Sequence, residues 1–138
     1  MKLDWFVFQA GATAFVIAFV AAILFFTAFK FVYQLVTPYH ERELIRQGNT
    51  AAAVALGGAL IGYVLPLASA LSHTVSLPEF AAWALLAGLI QIVVFITVSR
   101  TVYKALAARI EAGELAAGVY LASISISIGL LNAACMTA

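Results

Sequence analysis

His40, Glu41, Arg42, Glu43 and Arg46 form the densest run of ionisable side chains in this chain of 138 residues. Carboxylates beside a histidine are the raw material of acid–base chemistry or of a metal site. A metal needs several converging ligands, however, and the remaining imidazole and thiol, His73 and Cys135, lie far away in the chain. No nucleophile, base and oxyanion donor set can be assembled. The run Glu41, Arg42, Glu43 and Arg46 therefore reads as a solvated strip facing lipid headgroups or a partner. Uncharged polar groups stand elsewhere, inside long apolar runs: Gln91, Asn132, and the serines Ser123, Ser125 and Ser127. Amides in such places act as glue between helices or line a permeation path, and serines bond back to carbonyls of their own helix. Cys135 reads as a buried structural thiol. These residues point to no catalytic centre, no metal and no cofactor.

The elements that hold them follow from composition. Hydrophobic residues make up 65% of the chain and charged residues 9%, against about a quarter charged in soluble domains. So few charges cannot cover the surface of a globule this small, and lipid must be the solvent for much of it. A net charge of +1 without a dense basic face argues against nucleic acid as a partner.

Four runs are long enough to cross a hydrocarbon core, which takes about 20 apolar residues. They are placed at 8–33, 49–72, 80–102 and 114–136, giving an all-α integral membrane protein in a single domain over 1–138. Lys2 ahead of the first run resembles the start of a signal peptide. The run is too long for one, and Phe29-Lys30-Phe31 offers no cleavage site, so a retained helix is expected. Trp5, Phe6, Tyr33 and Trp83 suit the membrane interface.

Orientation follows from the basic residues. Lys30, Arg42 and Arg46 flank the first connection, and Arg100, Lys104 and Arg109 the third. The positive-inside bias puts both connections in the cytoplasm and both termini in the periplasm.

In the first connection Thr37 is expected to cap a short helix with Pro38 at its first position, running from Tyr39 to Gln47. Gly48 ends it and Asn49 caps the next helix. Past the third run, Val102, Leu106 and Ile110 repeat every four residues, so that helix is expected to continue to Ala112 before Gly113 turns the chain. The two halves align at an offset of 65, Ile45 with Ile110, Gly48 with Gly113 and Leu65 with Leu130. Two tandem parallel repeats, 8–72 and 80–136, are expected.

Ala51, Ala55, Gly58 and Gly62 recur every three or four residues along the second run, a small-residue face that allows backbones to approach closely in lipid. The spacing specifies closeness and leaves open whether the partner is another helix of the chain or another subunit. Pro66 must free a carbonyl near Gly62 and kink this helix. The Asn132 amide needs a partner in hydrocarbon, and the carbonyls opened by the kink are natural acceptors.

Thr37-Pro38-Tyr39, Gly48-Asn49, Ala51-Ala52-Ala53, Gly57-Gly58, Gly62, Pro66-Leu67 and Gly129-Leu130-Leu131-Asn132-Ala133-Ala134 resemble the bacterial domain-of-unknown-function family 350, the UPF0719-type inner membrane proteins. The resemblance spans nearly the whole chain. It implies a bacterial inner-membrane location and no particular activity. The leading functional expectation is a non-enzymatic scaffold that self-associates or binds another membrane protein. The competing one is a small oligomeric channel whose polar residues face a central path.

Overall fold

A computed structural model describes residues 2–102 and 105–136; Tyr103 and Lys104 lie outside the described residues. Six α-helices and one π-helical segment follow in order: α1 Trp5–Val36, α2 Glu41–Arg46, α3 Thr50–His73, α4 Leu77–Thr97, π segment Val98–Val102, α5 Leu106–Glu111 and α6 Leu115–Cys135. Four of them, α1, α3, α4 (running on to Arg100) and α6, are long and apolar enough to cross a membrane.

Local chemistry sets the helix ends. The Asp4 carboxylate accepts from the backbone N–H groups of Phe6 and Val7, satisfying two donors that have no partner inside α1. Asn49 does the same for Ala52 at the start of α3, and Ser76 for Glu79 at the start of α4. Gly48 and Gly113 have φ of +89° and +87°, which a side chain with a β-carbon adopts only at a cost.

Two expected elements differ. Thr37 closes α1 instead of opening α2: its N–H still bonds the Tyr33 carbonyl, and its hydroxyl donates to the Gln34 carbonyl at 3.0 Å. Pro38 forces the residue before it out of the helical region, and Thr37 sits at φ −73°, ψ 137°. The next helix therefore begins only at Glu41, with Pro38 and Tyr39 in the link. The third run likewise is not one helix to Ala112. It ends at Thr97, passes through the π segment, and resumes as α5 after Ala105 at φ −89°, ψ 3°. The break lets Leu106 and Ile110, both fully buried, turn into the core.

The tightest packing in the molecule joins α3 to α6. A β-carbon on Gly58 would collide with Ala122, one on Gly118 would lie 2.9 Å from the Ala51 Cα, and one on Gly129 would lie 2.7 Å from the Gly62 Cα. Partner numbers rise together along both helices, so α3 and α6 run parallel. Ala51, Ala55, Gly58 and Gly62 are all buried against the chain's own helices. Three residues of this small-residue face, Ala51, Gly58 and Gly62, meet α6 of the same chain.

Helices α1 and α4 flank this pair and run parallel to each other, with Phe25 edge-on to Phe80 at one level and Tyr33 against Phe95 at another. The Tyr63 hydroxyl donates to the Ala84 carbonyl at 3.0 Å and ties α3 to α4, while the Phe29 ring stacks on Tyr63 at 4.3 Å. Helix α1 is otherwise loosely held: Phe29 and Tyr33 are its buried residues, both near its C-terminal end.

Candidate functional site

Polar side chains collect in two places, halfway along the long helices and at the bend where α1, α2 and α5 meet the others. Near the middle of α6 the Ser125 carbonyl accepts from the Gln91 amide nitrogen at 3.2 Å, and in the last turn of α6 the Asn132 amide nitrogen donates to the Ala87 carbonyl at 3.3 Å. Each crosses between α4 and α6, from opposite directions, one turn apart on α4 and two turns apart on α6. Gln91 and Asn132 are both buried. The Asn132 bond is therefore made to α4, not to a carbonyl of α3 opened by Pro66. Gly62, whose carbonyl would have accepted from residue 66 had it an N–H, instead turns that oxygen toward Gly129. A contact of this kind with a glycine Cα is a weak hydrogen bond in its own right. Helix α3 runs on without a break through Pro66 to His73.

Ser123 and Ser127 donate to the carbonyls of Val119 and Ser123, one turn back in their own helix, both at 2.7 Å. Among the described residues, the Gln91 side-chain oxygen is a buried polar atom without a hydrogen-bond partner.

The bend is held by Asn49, which does more than cap. Its amide nitrogen reaches the carbonyls of Ile110 and Glu111 at 2.9 and 3.2 Å, satisfying the exposed end of α5 from the start of α3. Arg109 pairs with Glu114 across the Gly113 turn. On the surface Arg46 lies 3.8 Å from Glu43, and Arg42 is exposed.

Glu41 departs from the solvated strip expected for it. Its side chain is 3% exposed, and neither carboxylate oxygen has a hydrogen-bond partner among the described residues. Tyr33 and Tyr39, 1% and 5% exposed, carry hydroxyls in the same condition. Burial pushes the Glu41 carboxyl up to about 7, against the pull of the Thr37 and Gln34 side chains and of the Lys30 charge. Tyr39 is raised too, first by burial and then by the Glu41 charge, with the Tyr33 hydroxyl opposing. Alternation of Glu and Arg on so short a helix looks like a wet surface, and no local pattern shows that its first residue is turned inward by the Pro38 link.

His40 lies at this bend and His73 at the far end of α3, where its Nδ1 meets the Ser69 carbonyl at 2.8 Å. Among the described residues no three metal-binding side chains come together. Cys135 is exposed at the end of α6, not buried as expected.

With this geometry in view, comparison with known proteins is direct. Residues 7–136 match the family model described as Domain of Unknown Function (DUF350). The chain belongs to this family. It is 43% identical over 109 residues to the UPF0719 inner membrane protein YjfL of Escherichia coli strain K12, covering 79% of this chain and 82% of that one, and equally so to its counterpart in Escherichia coli O157:H7. No solved structure matches. Four membrane-crossing helices and these relatives make the chain a multi-pass inner membrane protein. The family carries no enzymatic name.

Proposed function

We propose that this chain is a non-enzymatic scaffold of the inner membrane that associates with a second copy of itself through α1. The observation that supports this reading is that the donors of the intramembrane polar groups, the amide nitrogens of Gln91 and Asn132 and the hydroxyls of Ser123 and Ser127, are engaged inside one subunit. Gln91 and Asn132 fasten α4 to α6, and Ser123 and Ser127 bond their own helix. The competing channel reading needs the same groups aimed at a shared axis, and for that reason it is the weaker of the two.

Several features favour α1 as the contact. It has 32 residues against 21 to 24 in the other three spans, about 48 Å of helix against a hydrocarbon core of roughly 30 Å. Such excess length is relieved by tilt or by association. Gly11 has no neighbour within 4 Å and is flanked by the exposed Phe8 and Phe15, the latter stacked on Phe19 at 6.1 Å. The tandem-repeat reading is part of this proposal. It is supported by the twin left-handed glycines 48 and 113, the six-residue helices before each, and the parallel pairing of α3 with α6 and α1 with α4. Lys30, Arg42, Arg46, Arg100 and Arg109 lie toward the bend, which by the positive-inside bias turns to the cytoplasm and leaves the ends of the chain in the periplasm.

Single cysteines at Phe8 and Phe15, in a Cys135→Ser background and in native membranes, test the contact. Cross-linking to a two-chain species at these positions, but not at the exposed Leu130 of α6, is the expected result. A one-chain mass on native extraction with no cross-link at either position overturns it and leaves lipid as the cover of α1.

A further inference from the structure

The C-terminal half of α1 and the middle of α4 are held together at two levels, Phe25 against Phe80 and Tyr33 against Phe95, and part between them. The gap is a groove of about 270 Å³ walled by Phe29 and Val32 on one side and by Gly88, Leu89 and Ile92 on the other, with Tyr63 as its floor. Small residues give it depth: a β-carbon on Gly88 would lie 3.3 Å from the Tyr63 ring. Tyr63 is the only polar side chain in the lining, and its hydroxyl is spent on the Ala84 carbonyl, so nothing here holds water. A cavity of about 150 Å³ lined by such residues already stays dry and takes an apolar guest. A partner helix about 10 Å across does not enter between two helices that touch above and below the gap. A single hydrocarbon chain does.

We propose that this groove binds one acyl chain of an anionic phospholipid from the leaflet on the side of the bend, with its headgroup at Arg100. Ile92, Ile96 and Arg100 follow one another every four residues, so one stripe of the helix leads from the groove to an exposed cation. From Ile92 to Arg100 is about 12 Å of helix, and one leaflet of hydrocarbon is about 15 Å deep, so a lipid whose phosphate meets Arg100 brings the end of its chain to the groove. Among the described residues no carboxylate pairs with Arg100. The opposite end of α4 carries the exposed Glu79, which repels an anionic headgroup and so selects the leaflet. Burying hydrocarbon gives no preference by itself, because the alternative in a bilayer is other hydrocarbon. Contact with a fixed groove and the pairing of phosphate with guanidinium supply it. The groove lies away from Phe8 and Phe15 and needs no second copy of the chain.

The test places the full chain in phosphatidylcholine nanodiscs containing a small share of a phosphatidylglycerol with a photoreactive diazirine at the end of one acyl chain, and maps the adducts by mass spectrometry. Unlabelled phosphatidylglycerol is then titrated in. Labelling of Leu89, in the groove, is expected to fall steeply and to saturate, while labelling of Leu86 and Val93, exposed on the same helix outside the groove, falls only by dilution. Ala28→Phe fills the groove from the exposed side of α1 and is expected to abolish the saturable part. Arg100→Gln leaves the groove intact and is expected to raise the half-suppressing phosphatidylglycerol fraction about fivefold, the effect of one basic residue on an anionic lipid. The proposal is overturned if Leu89 and Val93 fall in parallel in the wild type, if Ala28→Phe keeps the saturable labelling, or if Arg100→Gln leaves the half-point unchanged. Should Ala28→Phe not fold, the Arg100→Gln half-point decides alone.

Discussion

Gly129 lies against Gly62 so closely that the Gly62 carbonyl oxygen occupies the place a β-carbon of residue 129 would take. Pro66 leaves that carbonyl without its helical donor, and Gly129 is what allows the oxygen to be covered by another backbone instead of by hydrocarbon. The proline in one helix and the glycine in the other are thus parts of one device. Its consequence is that the small residues of this chain are not interchangeable.

Gly129→Ala and Gly62→Ala should each destabilise the fold by about 1–3 kcal/mol, because the β-carbon meets backbone that can move only by separating α3 from α6. Gly57→Ala, on the same helix with nothing within 4 Å of the new carbon, should cost no more than about 0.5 kcal/mol. Midpoints of unfolding in detergent, read by circular dichroism, check the contrast. Equal losses at residues 57 and 62 would refute the close approach.

Much of this was legible beforehand, and the reason is the solvent. Hydrocarbon demands long apolar runs, so the four spans stand out with boundaries close to those observed, and glycine turns at Gly48 and Gly113 announce themselves by residue type. What lay beyond reach were relations between distant residues. Asn132 had a need for a partner but no sign that Ala87 would supply it. Burial of Glu41 depends on how Pro38 redirects the chain, and the end of the third helix depends on the core that Leu106 and Ile110 join; neither is written in local periodicity.

Gln91 and Asn132 should respond differently to removal of their amides. Asn132→Leu deletes the bond from its amide nitrogen to the Ala87 carbonyl, worth about 1 kcal/mol between membrane helices. Gln91→Leu deletes a comparable bond, but it also removes a buried oxygen that has no partner, which offsets the loss. Asn132→Leu is therefore expected to lower the unfolding free energy by about 1–2 kcal/mol and Gln91→Leu by less than about 0.5 kcal/mol, measured by denaturant titration in mixed micelles. The reverse order would show that the Gln91 oxygen is satisfied.

Cys135 offers a direct reading of sidedness, since it is exposed and stands at the end of the molecule away from the bend. With the bend in the cytoplasm, a membrane-impermeant maleimide added to cells with a permeabilised outer membrane should label Cys135. It should not label Gln47→Cys in a Cys135→Ser background until the inner membrane is opened. Labelling in the opposite order would invert the proposed topology.

The carboxyl of Glu41 makes stability depend on pH with a definite sign. In the folded chain its pKa is about 7, against 4.5 for an unperturbed glutamate, so the folded state holds a proton that the unfolded state gives up first. Stability from this group is complete below about pH 4.5, falls as pH rises toward 7, and levels off above it. Burial raises the pKa, while the Thr37 and Gln34 side chains and the Lys30 charge oppose. Wild type should lose about 1–3 kcal/mol between pH 5 and 7.5 relative to Glu41→Gln, whose curve lacks this slope. The difference between the two curves isolates Glu41 from the other acidic residues, which are present in both. A wild-type curve that rises over the same interval relative to the variant would mean that the carboxylate is charged and paired in the folded state.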